Sequence, residues 1–491
     1  MSILNYSSTL IGVEARLVGV EVVVSSGLPG LTVVGLPDAA VSEAGARVRS
    51  ALKRSGVSLP PRRVVINLSP ADLRKSGSGF DLALALGLLE ALGEIPKGAL
   101  KNTLVLGELS LSGEVRSVRG EVSSLALASA SGAVSRLMIS AERVSLLPHW
   151  EGVEVVPVST LTEARDFCLG KWRPSSVDRR PVENPQPLPD LSEVRGQEFA
   201  KLAIEVSAAG GHHLALVGPP GCGKSLLASC LPGLMPPLTE VEQREVAAIS
   251  SVCEEQLLLG NRPFRAPGCG TSAVALLGGC HPGEVTRAHR GVLFLDEFPE
   301  FRRDALESLR AVLERGEVHI SRARMRIRYP AHFTLVCAMN PCPCGASGQE
   351  DESCVCSPGK VQRYRAKMSG PLSERIDLLV ALHRVPLLQS GRSQGESTSQ
   401  VAERVQRARQ VQLVRGALNR DLSGDRLLQS LEWSEQARTF AYELAEKKRQ
   451  SMRSFQKWLK VSRTLADLLG DKSVSQEHLK VASSLRAHDV D

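Results

Sequence analysis

Residues 211–225 read GHHLALVGPPGCGKS, and this stretch constrains the fold more than any other. An apolar run, Leu214-Ala215-Leu216-Val217, leads into Gly218-Pro219-Pro220-Gly221-Cys222-Gly223-Lys224-Ser225. That segment fits G-x-x-x-x-G-K-S/T without a gap. The pattern needs a strand, a tight glycine turn and a helix in that order, so that successive N–H groups converge on phosphate oxygens. Lys224 then reaches the β and γ phosphates, and the Ser225 hydroxyl takes a place on Mg²⁺. The helix that starts near Lys224 points its positive end at the anion. A chance glycine turn is the bland alternative. The apolar segment 226–234 supplies the helix that a mere turn would not need.

A second motif strengthens the first. Gly291-Val292-Leu293-Phe294-Leu295 is an unbroken apolar run that ends in Asp296 and Glu297. Such a run reads as a parallel strand buried on both faces. Its C-terminal end is where an open α/β sheet places ligands. Asp296 is the candidate for holding magnesium and its water, and Glu297 for polarising the attacking water. Either carboxylate alone would be an ordinary turn residue.

With 491 residues the chain exceeds a single core, which implies about two to four domains. Hydrophobic residues at 43% and charged residues at 23% fit a soluble globular protein rather than a disordered or membrane chain. The net charge of +7, from 60 basic and 53 acidic residues, permits nucleic acid as a partner without showing it. The opening MSILNYSSTL lacks a basic region followed by an apolar core. No apolar run nears the roughly 20 residues of a membrane helix, since Glu90 interrupts the longest, 81–93. The expectation is a cytoplasmic protein, without membrane contact, whose cysteines stay reduced.

Residues 1–170 read as an α+β domain. Strands are expected at 12–24, 31–34, 64–68, 103–106, 137–139 and 153–156, with helices at 39–55, capped by Asp38, and at 80–92. The segments VGLPDAAVSEAGARVRSAL, NLSPADLRKSGSGFDLALALGL and LGELSLSGEVRSVRG resemble the ChlI-type domain, which shares its fold with the Lon protease domain and ribosomal protein S5. That resemblance raises a Ser/Lys peptidase as a competing function. Setting the Lon pattern on this chain puts Gly79 at the nucleophile position and Ser124 at the lysine position. Both members of the dyad are missing, although Lys75, Ser76 and Ser78 lie close by in sequence. The reading is a domain that binds or organises, not a protease.

Residues 171–190 hold five prolines and read as a stiff linker. From Leu191 onward, DLSEVRGQEFAKLAIEVSAAGGHHLALVGPPGCGKS resembles the AAA+ ATPases of the magnesium-chelatase group, in particular the YifB/ComM family of Mg-chelatase-like proteins. The chain is similar to that family from end to end. This implies an α/β multidomain protein: a Lon/S5-like domain over 1–170, a P-loop AAA+ core over 191–388, a linker over 389–400 and a helical lid over 401–491. Within the lid, helices are expected at 401–415, 434–449, 453–469 and 475–487. The resemblance further implies that 194–197 pack near the adenine and that Asn340 senses the γ-phosphate. It also implies that Arg375 reaches the ATP of a neighbouring subunit and that Arg453 contacts the γ-phosphate from the lid. ATP and Mg²⁺ are the implied cofactors, and a homo-oligomeric ring, hexameric by the family's habit, is the implied assembly. The implied substrate is DNA, acted on by a helicase or branch-migration factor in recombination or natural transformation. The alternative is a remodelling ATPase, like magnesium chelatase, that ignores DNA. The chain departs from the family pattern at Gly268-Cys269, where a pair of histidines is usual.

Two features stand apart from the ATP motifs. Arg322, Arg324, Arg326 and Arg328 alternate, and on one continuous strand they would share a face suited to DNA phosphates. A turn within the run would divide them between two strands of a hairpin, and the bland alternative is a solvated strand edge. Cys342, Cys344, Cys354 and Cys356 form C-x-C-x9-C-x-C within the insertion 342–356. Four soft thiolates suit a structural tetrahedral Zn²⁺, although the one-residue gaps are tighter than usual.

Overall fold

The computed structural model describes residues 3–148, 150–175, 188–255, 260–322, 325–347, 354–367, 372–384 and 395–486. The chain divides into two compact units. The first comprises Met1–Glu183, Glu240–Leu259 and Cys280–Pro282, and the second takes the remainder.

The first unit is built on a seven-stranded sheet. Its strands are β1 (Ile3–Ile11), β2 (Glu14–Ser25), β3 (Gly30–Val34), β4 (Arg63–Ser69), β5 (Thr103–Val105), β8 (Arg136–Ser140) and β9 (Glu154–Val158). They lie in the order β3-β4-β2-β1-β5-β8-β9. A small antiparallel pair, β6 (Glu108–Leu109) and β7 (Val115–Arg116), sits outside this sheet. Helices α1 (Ala39–Arg54), α2 (Asp81–Leu92), α3 (Glu121–Ser131) and α4 (Leu161–Cys168) complete the unit. Asp38 caps α1 as expected, its carboxylate accepting from Val41 N at 2.9 Å.

The expected strand 12–24 is really the second arm of a hairpin. Ile11 pairs with Glu14 around Gly12, whose φ of 67° suits a residue without Cβ. The missed arm, β1, carries Asn5, Ser7, Ser8 and Thr9 in buried positions, so it shows no apolar pattern. Some of its polar groups find partners across the fold, while Ser7 Oγ and Asn5 Oδ1 have none among the described residues. Asn5 Nδ2 donates to Ala83 O at 2.9 Å, and the Ser8 and Ser124 hydroxyls meet at 2.8 Å. Ser124 also donates to Gly120 O at 2.9 Å, so the residue at the would-be lysine position ties α3 to β1. A Cβ at Gly79 would lie 3.0 Å from Leu106 Cδ1, which leaves little space for a nucleophile there.

The second unit holds the parallel sheet of β10 (Leu214–Val217), β11 (Phe264–Arg265), β12 (Val292–Leu295), β15 (Thr334–Met339) and β16 (Leu378–Ala381), in the order β11-β12-β15-β10-β16. Helices α5 (Glu198–Gly210) and α6 (Lys224–Leu234) flank β10 in sequence. The chain then contributes α7 (Glu240–Cys253) to the first unit, where Gly120 N donates to Ser251 O at 3.2 Å and Arg119 pairs with Glu254 at 2.6 Å. The expected uninterrupted core 191–388 therefore lends a helix to the other unit. Short helices α8 (Ala273–Leu277) and α9 (Glu284–Arg287) follow β11, and α10 (Arg303–Arg315) leads into the hairpin β13 (Glu317–Arg322) and β14 (Met325–Pro330). After β15 comes α11 (Pro358–Ala366).

The C-terminal helices are α12 (Thr398–Arg415), α13 (Gly424–Leu431), α14 (Glu435–Lys447), α15 (Met452–Leu469) and α16 (Gln476–Ser484). They share one apolar core with α5 and α6. Helix α12 begins inside the expected linker 389–400, because Ser397 and Gln400 form a capping box. At the end of the other expected linker, Asp190 caps a short turn at 191–193, and its carboxylate accepts from Thr398 N at 3.2 Å.

Candidate functional site

Three buried apolar strands run side by side and end together. The register sets Val217 beside Met339 and Leu295 beside Cys337. The residues that follow each strand therefore emerge along one edge of the sheet, the carboxyl edge. Lys224, just after the turn at Gly221 and Gly223, folds back over that edge. Its Nζ donates to Gly218 O at 2.7 Å, Pro219 O at 2.9 Å and Asn340 Oδ1 at 3.2 Å. Burial lowers its pKa from the ordinary lysine value. Ser225 Oγ donates to Asp296 Oδ2 at 2.9 Å, so a hydroxyl and a carboxylate stand together as hard oxygen ligands. Glu297 follows in a left-handed conformation, φ 49°, with its N–H on Asp296 Oδ1 at 2.9 Å. Gly221 and Gly223 adopt φ of 78° and 93°, so the loop from Gly218 through Pro219, Pro220, Gly221, Cys222 and Gly223 turns as tightly as its sequence requires. Gln197, from the 194–197 segment, donates to Cys222 O at 3.4 Å and so touches the same loop.

The arginines stand elsewhere. β16 pairs with β10 in parallel, Leu214 beside Leu378. Arg375 precedes β16 and therefore lies at the amino edge of the sheet. The four-residue strand β10 separates the two edges by about 13 Å. Arg375 is only 8% exposed. Its Nη2 contacts the Glu314 carboxylate on α10, and Nη1 lies 3.6 Å from Glu374 Oε2. Its Nε and Nη1 have no hydrogen-bond partner among the described residues. Arg453, in the first turn of α15, joins this group: Nη1 donates to Glu374 Oε2 at 2.9 Å, and Nη2 is 3.9 Å from Glu314. Arg310 Nε is 3.9 Å from the same Glu314 oxygen. Burial, with Arg453 and Arg310 nearby, lowers the Arg375 pKa. The structure thus brings Arg453 to Arg375 and, among the described contacts, not to Lys224. Glu314 and Glu374 were not singled out in the sequence. A carboxylate on a solvated helix or turn carries no spacing signal.

Two other basic residues of α15 are structural. Lys460 donates to Arg420 O at 2.8 Å, and the buried Arg463 is held by Asp467 at 2.8 Å and Lys472 O at 2.6 Å.

The four cysteines converge. Cys342 Sγ lies 3.3 Å from Cys344 Sγ and 3.6 Å from Cys354 Sγ, Cys344 and Cys354 are 3.6 Å apart, and all four sulfurs, Cys356 included, fall within 4.8 Å of one another. Zinc–sulfur bonds of about 2.3 Å in a tetrahedron would place sulfurs roughly 3.8 Å apart, so the donor set fits a tetrahedral thiolate site. Ser347 N also donates to Cys342 Sγ at 3.3 Å. Asn340 stands two residues before Cys342. Gly345, at φ 84°, lies so near the phosphate loop that a Cβ there would be 2.6 Å from Pro220 Cδ.

The arginine run does not form one row. The turn falls within it, and the register pairs Arg322 with Met325, Ser321 with Arg326 and His319 with Arg328. Arg326 and Arg328 share an exposed face. The opposite face carries the buried Val318, Ile327 and Tyr329, and the Arg322 side chain lies outside what the structure describes. Arg328 lies 3.5 Å from Glu317, which offsets part of its charge. Arg324 lies outside the described residues.

Comparison with known proteins covers nearly the whole chain. The family model for magnesium chelatase, subunit ChlI, matches residues 190–389, that for subunit ChlI of Mg-chelatase matches 20–142, and that for the ChlI C-terminal region matches 395–486. An uncharacterized protein of Mycobacterium tuberculosis is 40% identical over 98% of both chains. The competence protein ComM of Haemophilus influenzae is 38% identical over 98% of this chain and 97% of its own. The magnesium-chelatase 38 kDa subunit of Rhodobacter capsulatus is 28% identical over 32% of this chain and 51% of its own.

Proposed function

The chain belongs to the YifB/ComM family of magnesium-chelatase-like AAA+ ATPases, and from that premise we propose that it is a ring motor whose protomers share each ATP. The observation that carries this reading is the separation of Arg375 and Arg453 from Lys224 across the sheet. An arginine at the amino edge cannot serve a nucleotide at the carboxyl edge of its own protomer. A ring of identical subunits, hexameric by the family's habit, would set one edge against the next.

In this reading Lys224 exchanges its carbonyl contacts at Gly218 and Pro219 for phosphate oxygens. Ser225 and Asp296 hold Mg²⁺, whose charge, when bound, offsets that of the phosphates. Glu297 polarises the attacking water, and Asn340 orients it. The neighbour's Arg375 supplies its Nε and Nη1, which make no hydrogen bond among the described residues, to charge that develops on the transferred phosphoryl group. Arg453 adds a second cation and links nucleotide state to α15. The thiols of Cys342, Cys344, Cys354 and Cys356 hold a structural Zn²⁺.

DNA is the proposed substrate. The support is the competence protein among the relatives and the exposed pair Arg326 and Arg328 on a hairpin that follows α10. Contacts to phosphate would give grip without sequence preference. The test is ATP turnover with single-stranded, duplex and branched DNA, with Glu297→Gln as control. A severalfold stimulation by DNA, absent in the variant, is expected. Turnover indifferent to every DNA would replace this reading with a chelatase-like remodelling ATPase.

A further inference from the structure

Asp377 follows Arg375 by two residues and is buried. Its Oδ1 is 3.3 Å from Lys457 Nζ, its Oδ2 accepts from His213 N at 3.3 Å, and His212 Nδ1 lies 3.4 Å away. Lys457 Nζ also donates to Ile376 O at 2.9 Å. Lys457 stands one helical turn after Arg453 on α15, so both side chains leave the same face. A third link runs through Arg486, which donates to Asp377 O at 2.6 Å and to Ser454 Oγ at 3.3 Å. Further along the same helix, Thr464 Oγ1 meets His212 Nε2 at 2.8 Å. The segment that carries Arg375 is therefore tied to the helix that carries Arg453 through an ion pair and hydrogen bonds.

Stability alone does not call for such a pair. Taking both charges out of water costs about as much as their attraction returns, and well-packed apolar residues would serve as well or better. What an ion pair of fixed geometry adds is register between two elements. On the reading that protomers share the nucleotide, we infer that Asp377 and Lys457 are positioning residues that hold Arg375 and Arg453 as one unit for the neighbour's phosphates. Loss of the pair loosens α15 on the 374–377 segment, leaving, among the described contacts, those of Arg486 and of Arg453 with Glu374. The protomer's own phosphate loop, at the other edge of the sheet, keeps its geometry. The defect should therefore lie in what a subunit gives its neighbour, not in what it binds itself.

Mixed rings separate the two. Lys457→Met alone should lose ATPase activity by about tenfold or more, while its nucleotide Kd stays within about threefold of the wild type. The partner is Lys224→Ala, which cannot use its own nucleotide but carries intact arginines. An equal mixture should rise toward about a quarter of the wild-type rate, the fraction of competent interfaces in random rings. Arg375→Ala mixed with Lys224→Ala is the control. If the control complements and the Lys457→Met mixture does not, this inference is overturned while the shared site stands. If the control also fails, the shared-site reading falls and takes the inference with it. Full activity of Lys457→Met alone would also overturn it. Should Lys457→Met fail to fold, the double variant with Asp377→Asn removes the orphan charge and faces the same test. If neither variant folds, the pair is a folding requirement and the inference is overturned.

Discussion

Lys224 is held by two carbonyls and Asn340, contacts that on the proposed reading it exchanges for phosphate oxygens. Its replacement by alanine should cost nucleotide binding as well as turnover. Glu297→Gln should behave differently: turnover falls by about a hundredfold or more, while a fluorescent ATP analogue still binds. Equal loss of binding in both variants would contradict the roles assigned to them. A second single-residue effect lies in the first unit. Glu121 is buried in the first turn of α3, and burial raises its carboxyl pKa to about 7. The folded state keeps that proton while the unfolded chain releases it near the ordinary glutamate value. Stability therefore falls as pH rises through that window, by about 3 kcal/mol in all, and is flat above it. Glu121→Gln should abolish the slope, as read by thermal unfolding between pH 5 and 8. At this scale the residues proposed to hold ATP could be picked out, since phosphate chemistry dictates their spacing. Glu314, Glu374 and Asp377 were not, because partners chosen by tertiary packing leave no spacing to read.

Elements were legible where their pattern was apolar or periodic. β10 and β12 could be read as unbroken apolar runs, but β1 could not, because its buried face is polar. Helix α12 carried a readable start, Ser397 with Gln400, hidden by the polar composition around it. Ser397→Ala should cost about 1 kcal/mol in unfolding free energy. The hairpin shows how one turn changes a prediction. The alternation of four arginines was visible, but the turn position decides which of them share a face. Replacing Arg326 and Arg328 together with alanine should reduce DNA-stimulated turnover and leave the basal rate unchanged. Equal loss of both rates would contradict a DNA role for the hairpin. The cysteine loop makes contact with the phosphate loop through Gly345 and Pro220. Gly345→Ala meets both a left-handed φ and that contact, so ATP affinity should fall about tenfold while metal content, measured by elemental analysis, stays at wild-type level.

At the scale of the molecule, one topological fact orders the rest. The phosphate loop and the arginines sit at opposite edges of one parallel sheet, and on the proposed reading a complete site needs two copies of the chain. The order of domains and the ring were both expectations drawn from resemblance. That α7 serves the first unit was not visible, because helix periodicity does not say which core a helix joins. The company of Arg453 was hidden for a similar reason: the motif identifies the arginine, and only the packing of α15 against the 374–377 segment says where it stands. The most direct measurement mixes Lys224→Ala with Arg375→Ala, each inactive alone, and follows ATP hydrolysis against mixing ratio. The account predicts activity that peaks near equal amounts, since each such pair contains one interface with both halves intact. A mixture as inactive as its components, in rings shown to exchange subunits, would contradict it.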